Sequence, residues 1–490
     1  MGCFSEEDGW EMCRVPFSFP VLGGNGRAVL AVDAGDDRAV RLAAESLAGD
    51  ITLVTDKPAR VFVIEGGVFS GAQELAVNAA DTLILAGTLK NEWIAGLVRD
   101  RKVDIRGIAG KWECYHLQVL DRPVYGFSRV LVIAGSDRRG AVYGIYKVSE
   151  LLGVSPWVWW ADSVPKKQEA PALSIPTMDS KEPSVRYRGF FINDENPSFL
   201  NWCNQKFGGV NAKVYAKVFE LLLRLKGNYL WPAMWGKSFN EDDPACPALA
   251  DDYGVVMGTS HHEPMMRAQK EWTDHGEEYG GHANWNYATN REGLYRFWED
   301  RIRANKDYEK VITVGMRGDG DEEMVKDGRP EDCIRLLEEI VADQREIIAK
   351  HIDPDPAKVP QVWCLYKEVE ELYYAGLNVP EDVTLMLCDD NFGNVRKLPD
   401  DGMRSHPGGF GMYYHLDYVG GPYSYKWINN MPLEKIWEQM GMAYDYGVRQ
   451  IWMVNVGDIK PMEIPLSYFL DLAYDFDYWS WMGENDRTEE

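Results

Sequence analysis

The first third of the chain alternates short apolar runs with amphipathic segments. The apolar runs AVLAVD, TLILAGT and SRVLVIAGS, which begin at Ala28, Thr82 and Ser128, have the length and β-branched content of buried strands. The segments DRAVRLAAESLAG, KNEWIAGLVRDR and DRRGAVYGIYKVSELLG repeat apolar residues every three or four positions, which predicts helices. Gly49 is expected to end the first helix. The alternation predicts an α/β domain over residues 1–161.

Residues 162–185 interrupt this pattern. The stretch from Asp162 to Pro183 reads DSVPKKQEAPALSIPTMDSKEP, which is rich in Pro, Lys and Ser and has no hydrophobic period. Such a composition is typical of a linker. We therefore expect a second domain over residues 186–484, followed by a short tail over residues 485–490.

Eight short runs of β-branched and aromatic residues follow the linker, and helix-like segments separate them. The runs begin at Arg186, Gly227, Gly254, Lys310, Pro360, Asp382, Gly408 and Arg449. Eight strands that alternate with helices are typical of a (β/α)₈ barrel, which takes about 250 residues. The predicted fold class is therefore α/β, with an N-terminal α/β domain followed by a TIM barrel.

Composition and charge exclude several classes of partner. Acidic residues outnumber basic ones 77 to 52 and the formal net charge is −25, which argues against nucleic acid and anionic membranes as partners. The 18 Trp and 25 Tyr suit a cleft in which sugar rings pack on aromatic faces. The eight cysteines form no CxxC pair, which argues against a zinc or redox motif. No signal peptide is visible at the start, MGCFSEEDGWEMC.

The residues that end the eight runs are the candidates for chemistry, because barrel active sites are built at the carboxyl ends of the strands. In chain order these residues are Asn193, Asp194 and Glu195; Trp231, Met234 and Trp235; His261, His262 and Glu263; Arg317, Asp319, Asp321 and Glu322; Lys367 and Glu368; Asp389, Asp390 and Asn391; His415 and Asp417; Asn455 and Asp458. Several carboxyl groups on one rim suit glycoside hydrolysis, which needs one protonated acid and one carboxylate. Neighbouring carboxylates raise the pKa of one member and keep it protonated.

A metal-dependent hydrolase is the alternative for two of these clusters. The run His261–Glu263 and the acidic loop Asp319–Glu322 both offer metal ligands. However, adjacent side chains diverge, and HHE is not the HExxH arrangement that places two His on one helix face. Hydrogen bonding to a sugar is favoured over metal binding, so we expect no metal and no cofactor.

The motifs RYRGFFINDE, NYLWPAMW, SHHEPM, GMRGDGDEEM, LYKEV, LCDDN and WMVNVGDIKPMEIP together closely resemble glycoside hydrolase family 115, the xylan α-1,2-glucuronidases. The resemblance covers nearly the whole chain. It implies inverting, metal-free hydrolysis that releases glucuronic or 4-O-methylglucuronic acid from glucuronoxylan or aldouronic acid oligosaccharides. It also implies an extracellular enzyme, whereas no signal peptide is visible in this chain, so the localisation is left open.

The resemblance assigns roles to individual residues. The essential acidic positions of the family match Asp194 or Glu195, Asp321, Glu368 and Asp390. The substrate-binding set comprises Glu195, Trp235, His262, Arg317, His415 and Asn455. We assign Glu368 as the general acid and Asp321 as the general base, with Asp194 as the competing base.

A buried uronate carboxylate needs a positive or hydrogen-bonding partner. Arg317, His262, Lys367 and His415 could supply it. For Lys367, an ion pair with a neighbouring acid is an equally good interpretation.

The end of the chain departs from the family pattern. Family members continue past the barrel into a helical domain and a β-sandwich that support dimerisation, and the tail GENDRTEE does not resemble that continuation. We therefore expect the C-terminal domains to be missing here, and a homodimer only where they are present. Two other functions stay open: a catalytically impaired carbohydrate-binding barrel, and a hexuronidase of different specificity.

Overall fold

The structure, a computed structural model, describes most of the chain. The described residues are 17–65, 81–123, 126–193, 197–325, 328–418, 420 and 428–485. The chain divides into two compact units, Met1–Glu182 and Pro183–Glu490.

The first unit contains a six-stranded sheet and a separate two-stranded sheet. The strands are β1 (Phe17–Pro20), β2 (Ala28–Asp33), β3 (Ala59–Ile64), β4 (Asp81–Thr88), β5 (Tyr115–Asp121), β6 (Phe127–Gly135), β7 (Ala172–Ile175) and β8 (Met178–Asp179). The helices are α1 (Arg38–Thr55), α2 (Glu92–Arg99) and α3 (Arg138–Leu151). The large sheet has the order β3-β2-β4-β6-β5-β8. Its first four strands are parallel, and β5 runs antiparallel to both of its neighbours.

Capping side chains fix where the three helices described in this unit begin. Asp37, Asn91 and Asp137 each accept a hydrogen bond from a backbone N–H of the first turn, which satisfies donors that the helix cannot. The expected end of α1 at Gly49 is wrong, because the helix continues to Thr55. Its last two turns bury apolar side chains, and this packing outweighs the poor helix propensity of glycine.

Two strands lie within the residues predicted as a linker. β7 pairs antiparallel with β1, and β8 pairs antiparallel with β5. The His116 Nδ1 on β5 also lies 2.6 Å from the Asp179 carboxylate on β8. These contacts join the segment to the first unit.

The second unit is a barrel of eight parallel strands. They are β9 (Tyr187–Phe191), β10 (Tyr229–Trp231), β11 (Val256–Met257), β12 (Ile312–Thr313), β13 (Gln361–Cys364), β14 (Thr384–Cys388), β15 (Phe410–His415) and β16 (Ile451–Asn455). Neighbours pair in chain order and β16 pairs with β9. Between β11 and β12 a parallel bridge joins Met257 to Lys310, and the Val311 N–H donates to the Met257 carbonyl at 3.0 Å. The predicted fold class, an α/β domain followed by a (β/α)₈ barrel, is confirmed.

Helices connect most of the barrel strands. They are α4 (Ser198–Phe207), α5 (Ala212–Arg224), α6 (Cys246–Tyr253), α7 (Gln269–His275), α8 (Tyr287–Ala304), α9 (Pro330–His351), α10 (Glu368–Tyr374), α11 (Leu433–Asp445), α12 (Glu463–Tyr474) and α13 (Phe476–Asn485). Short 3₁₀ turns occur at Gly276–Tyr279, Pro356–Lys358 and Met403–Ser405. The connection from β14 to β15 holds the last of these turns in place of an α-helix. Among the described residues, the helices are all too short or too polar to cross a membrane.

Aromatic side chains fill the interior of the barrel. Phe191, Trp231 and Tyr413 are almost fully buried, and the Trp231 ring lies 5.6 Å and 5.5 Å from the other two. Gly189 lets the backbones of β9 and β10 lie close together, because a Cβ there would lie 1.5 Å from the carbonyl oxygen of Tyr229. The rings form a packed floor beneath the carboxyl ends of the strands.

Candidate active site

The backbone after β12 is fixed by one buried glutamine. The Gln344 side chain accepts from the Gly315 N–H and donates to the Gly315 carbonyl, both at 2.8 Å. Gly315 has a φ of +93°, and a Cβ there would meet the Trp363 indole at 2.4 Å, so glycine is required. The Trp285 indole N–H then donates to the Arg317 carbonyl at 2.8 Å. These contacts hold Arg317 at the rim.

A tight loop returns Asp321 to the side chain of Arg317. The Gly318 N–H donates to the Glu322 carbonyl at 2.9 Å, and Asp321 adopts a left-handed φ of +62°. Arg317 Nη1 consequently donates to the Asp321 carbonyl at 2.6 Å and also to its carboxylate Oδ1. The GDGD sequence thus brings the Asp321 carboxylate against the Arg317 guanidinium.

Arg317 also binds the predicted general acid. Its Nε and Nη2 donate to the two carboxylate oxygens of Glu368 at 3.0 and 2.6 Å. Arg317 is 3% exposed, so water weakens this bidentate pair little. Glu368 is the first residue of α10, and the helix N-terminus adds a further favourable field for a carboxylate. One guanidinium therefore holds Asp321 and Glu368 together.

Two further side chains contact the Asp321 carboxylate. His261 Nε2 lies 2.9 Å from Oδ1, and the Lys367 ammonium donates to Oδ2 at 2.9 Å. A carboxylate only accepts, so Nε2 of His261 carries the hydrogen, and Nδ1 accepts from the Ser260 hydroxyl at 3.1 Å. Both oxygens of Asp321 are thus hydrogen-bonded, and the group is held as an anion among donors.

The adjacent histidines are neutral hydrogen-bonding groups. Burial lowers the pKa of both His261 and His262 well below the usual value, and the positive charge of Arg317 lowers it further. The His262 ring lies 5.6 Å from that of Trp235, whose indole donates to Asn193 at 3.0 Å. In the part of the chain that the structure describes, the buried Nδ1 of His262 has no hydrogen-bond partner. His262 is therefore a neutral side chain with one ring nitrogen unsatisfied among the described residues.

Asp389 and Asp390 are neighbours with different surroundings. Asp389 is buried and accepts from the His415 Nδ1 at 2.6 Å and from the His415 backbone N–H at 3.0 Å. Asp390 accepts from the backbone N–H groups of Phe392 and Asn394 at 3.0 and 3.1 Å. Its partial burial acts to raise its pKa, but these bonds and the Asn394 side chain outweigh that effect, so the pKa is lowered. Asp390 shapes its own turn, whereas Asp389 orients His415.

Asn455 and His415 border the aromatic floor. The Asn455 side chain donates to the Tyr413 hydroxyl at 3.0 Å and accepts from the Gly457 N–H at 2.9 Å. The rings of Tyr413 and His415 are 4.5 Å apart. Tyr413 also lies 5.8 Å from the His261 ring, so these side chains form one continuous site.

Comparisons with known proteins identify the family of the chain. The profile of glycosyl hydrolase family 115 matches residues 180–489. The chain belongs to glycosyl hydrolase family 115. Comparison with curated proteins returns no match.

Two solved structures are similar to this family 115 chain. BtGH115A, described as a 4-O-methyl-α-glucuronidase with specificity for decorated arabinogalactans, shares 36% sequence identity and a TM-score of 0.83 over 94% of this chain. The chain spans 58% of the length of BtGH115A. CpGH84D is similar in fold alone, with 10% identity and a TM-score of 0.50 over 96% of this chain and 71% of that one.

Two of the predicted site residues of this family 115 chain, Asp194 and Glu195, lie outside the described residues. Sequence reasoning left Asp389 and His261 out of the assigned catalytic and substrate-binding residues, and it named Lys367 only as a candidate partner of the uronate carboxylate. The available signal was their position at strand ends, beside residues that were chosen. Two neighbouring residues at a strand end, such as Asp389 and Asp390, differ in the direction of their side chains, and the sequence does not show this direction.

Glu263 is a buried acid that follows the two histidines. Its carboxylate accepts from the Gln269 N–H at 2.8 Å. Burial raises the pKa of Glu263 to about 8; the nearby Glu271 adds to this increase, and the Gln269 hydrogen bond opposes it. Glu263 is therefore protonated at neutral pH.

A metal ion would meet unfavourable charges at this site. Among the described residues, the ligand atoms of His261, His262 and Asp321 lie within 4.8 Å of one another. However, Arg317 and Lys367 already contact the Asp321 carboxylate. A cation would compete with both positive groups for that carboxylate, so the electrostatics disfavour a metal.

Proposed function

We propose that this chain is a glycoside hydrolase that releases glucuronic or 4-O-methylglucuronic acid from an α-1,2 linkage on xylan or xylooligosaccharides. The observation that best supports the proposal is that Arg317 holds Glu368 and Asp321 together at the carboxyl rim of the barrel. Paired carboxyl groups are the machinery of glycoside hydrolysis. The 36% identity to BtGH115A, described as a 4-O-methyl-α-glucuronidase, supports release of the same sugar.

Glu368 serves as the general acid in this proposal. It donates a proton to the glycosidic oxygen, which makes the polysaccharide a better leaving group. Because Arg317 occupies both carboxylate oxygens in the free protein, this ion pair has to rearrange before Glu368 carries a proton. Substrate binding supplies that rearrangement.

Asp321 serves as the general base. It removes a proton from a water molecule, which attacks the anomeric carbon on the face opposite the leaving group and inverts its configuration. An inverting pair needs its carboxyl groups about 6.5–9.5 Å apart to leave room for this water. Asp194 remains the competing base.

The neutral groups of the site recognise the sugar hydroxyls. His262 has an unsatisfied ring nitrogen beside the Trp235 ring, which suits one hydrogen bond and one stacking contact to a pyranose. His415 and Asn455 contribute from the opposite strands, and their partners Asp389 and Tyr413 hold them in orientation. Glu195 is a further proposed substrate-binding residue, and Asp390 is a further proposed catalytic residue.

A decorated arabinogalactan is the second candidate substrate. The observation that favours it is the described specificity of BtGH115A, which matches 94% of this chain. The released sugar and the carboxylate roles are the same for both polysaccharides. The two candidates differ only in what occupies the leaving-group side of the cleft.

One experiment tests the reaction and its stereochemistry. The protein is incubated separately with 4-O-methylglucuronoxylan, its aldouronic acid oligosaccharides and a glucuronic acid-decorated arabinogalactan, and ¹H NMR follows the anomeric signals. Early appearance of the β anomer of the free acid supports inverting α-glucuronidase activity. Early appearance of the α anomer would contradict inversion. Calorimetric binding without release on any substrate would instead support the carbohydrate-binding barrel.

A further inference from the structure

The side chains predicted to bind the uronate carboxylate differ in exposure, in charge and in how many hydrogen-bond donors they have left. Arg317 uses Nε, Nη1 and Nη2 on Glu368 and Asp321 and is 3% exposed. His415 is buried against Asp389. His262 is neutral, because burial lowers its pKa well below the usual value. A substrate carboxylate therefore needs another cation.

Lys367 is that cation among the predicted groups. Its side chain is 43% exposed, in contrast to that of Arg317. The ammonium donates to Asp321 Oδ2 at 2.9 Å and lies 5.0 Å from the centre of the Tyr366 ring. It has donors left for a ligand, because an ammonium carries three hydrogens.

The backbone at Lys367 is held in a rare conformation. Its φ of +53° and ψ of −127° lie in a region that L-amino acids rarely adopt, and such strain concentrates at functional sites. The same residue directly precedes Glu368, the first residue of α10. One strained residue thus aims an ammonium at Asp321 and starts the helix that carries the proposed acid.

We propose that Lys367 binds the carboxylate of the uronic acid and, in doing so, gives up its ion pair with Asp321. This inference rests on the proposed function and deepens it. The exchange leaves Asp321 Oδ2 free to accept a proton from the attacking water. The carboxylate of the substrate thereby releases the proposed base, Asp321, from its ion pair with Lys367. An uncharged sugar of the same shape does not release it.

The charge balance of the cluster supports this exchange. Among the described residues, the ion pairs around Arg317 join two cations, Arg317 and Lys367, to two carboxylates, Asp321 and Glu368. The uronate adds a third negative charge. Like charges at close range favour a proton on one of the carboxyl groups, which is the state that Glu368 needs in order to act as an acid. Burial and the nearby Arg317 lower the pKa of Lys367 in the free site, and an added carboxylate offsets both effects.

The test compares a charged substrate with an uncharged analogue, its methyl ester. A 4-O-methylglucuronosyl xylooligosaccharide and its methyl ester are hydrolysed by the wild type, Lys367→Met, Lys367→Arg and the control Lys358→Met, which changes a lysine that is 66% exposed. The wild type and the control are expected to prefer the acid about 100-fold in kcat/KM, because the ester cannot form the charge-assisted pair with Lys367. In Lys367→Met the preference falls below about fivefold, and Lys367→Arg restores part of it.

Two outcomes separate the inference from the function on which it rests. A Lys367→Met protein that keeps the wild-type preference for the acid over the ester overturns the inference and leaves the α-glucuronidase function standing. A wild type that hydrolyses neither substrate overturns the function. In that case, calorimetric binding of free glucuronate and glucose still decides the inference: the wild type is expected to prefer glucuronate, and Lys367→Met is not. Circular dichroism of each variant excludes loss of folding as the cause.

Discussion

Arg317 donates two parallel hydrogen bonds to Glu368, one to each carboxylate oxygen. Such a pair orients the carboxylate and occupies both of its oxygens. A general acid needs the protonated form, so this contact describes the free protein rather than the reacting complex. The arrangement keeps Glu368 in position while the substrate is absent.

The roles of the two carboxyl groups can be separated by leaving-group chemistry. Glu368→Gln and Asp321→Asn are each expected to lower kcat on the xylooligosaccharide by about 100-fold or more, because each removes one proton transfer. On an α-glucuronide with a nitrophenyl leaving group, Glu368→Gln should recover much of its rate, because that group leaves without a proton. Asp321→Asn should not recover. The measurement is steady-state kcat on both substrates.

Glu371→Gln is the matched control for this pair, since it changes a carboxyl group on the same helix, α10. Its kcat should stay within about threefold of the wild type. Near-wild-type turnover of both Glu368→Gln and Asp321→Asn would show that the assignment of acid and base is wrong.

The adjacent residues Asp389 and Asp390 should respond differently to the same change. Asp389→Asn replaces an acceptor oxygen that bonds His415 and leaves buried donors unsatisfied. We expect a loss of about 3 kcal/mol in unfolding free energy. Asp390→Asn keeps one acceptor oxygen for its own turn and should cost less than about 1 kcal/mol. Urea denaturation compares the two variants.

Turnover decides whether Asp390 also takes part in catalysis. If it does, Asp390→Asn loses activity while its urea midpoint stays near that of the wild type. Equal kcat in Asp390→Asn and the wild type would restrict this residue to shaping the turn after β14.

The barrel could be predicted because the local residue pattern is enough to recognise each strand. Runs of β-branched and aromatic residues end in polar ones, and the period changes to a helical one between them. The connection from β14 to β15 could not be predicted, since its 3₁₀ turn replaces the helix that the fold class leads one to expect. Gly49 illustrates the same limit, because buried side chains further along α1 decide where that helix ends.

The residues at the rim of the site could be predicted, but the contacts between their side chains could not. The sequence places Arg317, Asp321 and Glu368 at strand ends, and strand order brings such ends together. The sequence does not show that Asp321 adopts a left-handed φ, which turns its carboxylate back toward Arg317. It also does not show which of Asp389 and Asp390 faces inward, because that depends on the direction of the last residues of β14.

Activity should not depend on a metal ion. His261, His262 and Asp321 are close enough to bind one, but Arg317 and Lys367 oppose a cation at the Asp321 carboxylate. After dialysis against EDTA, kcat on the aldouronic acid should stay within about twofold of the untreated protein. A loss of activity that added Zn²⁺ or Ca²⁺ reverses would show that the three residues are metal ligands.

The buried Glu263 should make folding stability depend on pH. Its pKa is raised from 4.5 to about 8 in the folded state, so between these values the folded protein binds more protons than the unfolded chain. The stability linked to this group is therefore complete below pH 4.5, falls as the pH rises, and is lost above pH 8. Glu263→Gln keeps the shape and the acceptor for Gln269 but cannot titrate. The difference in unfolding free energy between the wild type and Glu263→Gln should thus fall by about 1.4 kcal/mol per pH unit across this window. Urea denaturation at pH 5, 6, 7 and 8 measures it, and a difference that stays constant over these four points would mean that Glu263 is ionised in the folded protein.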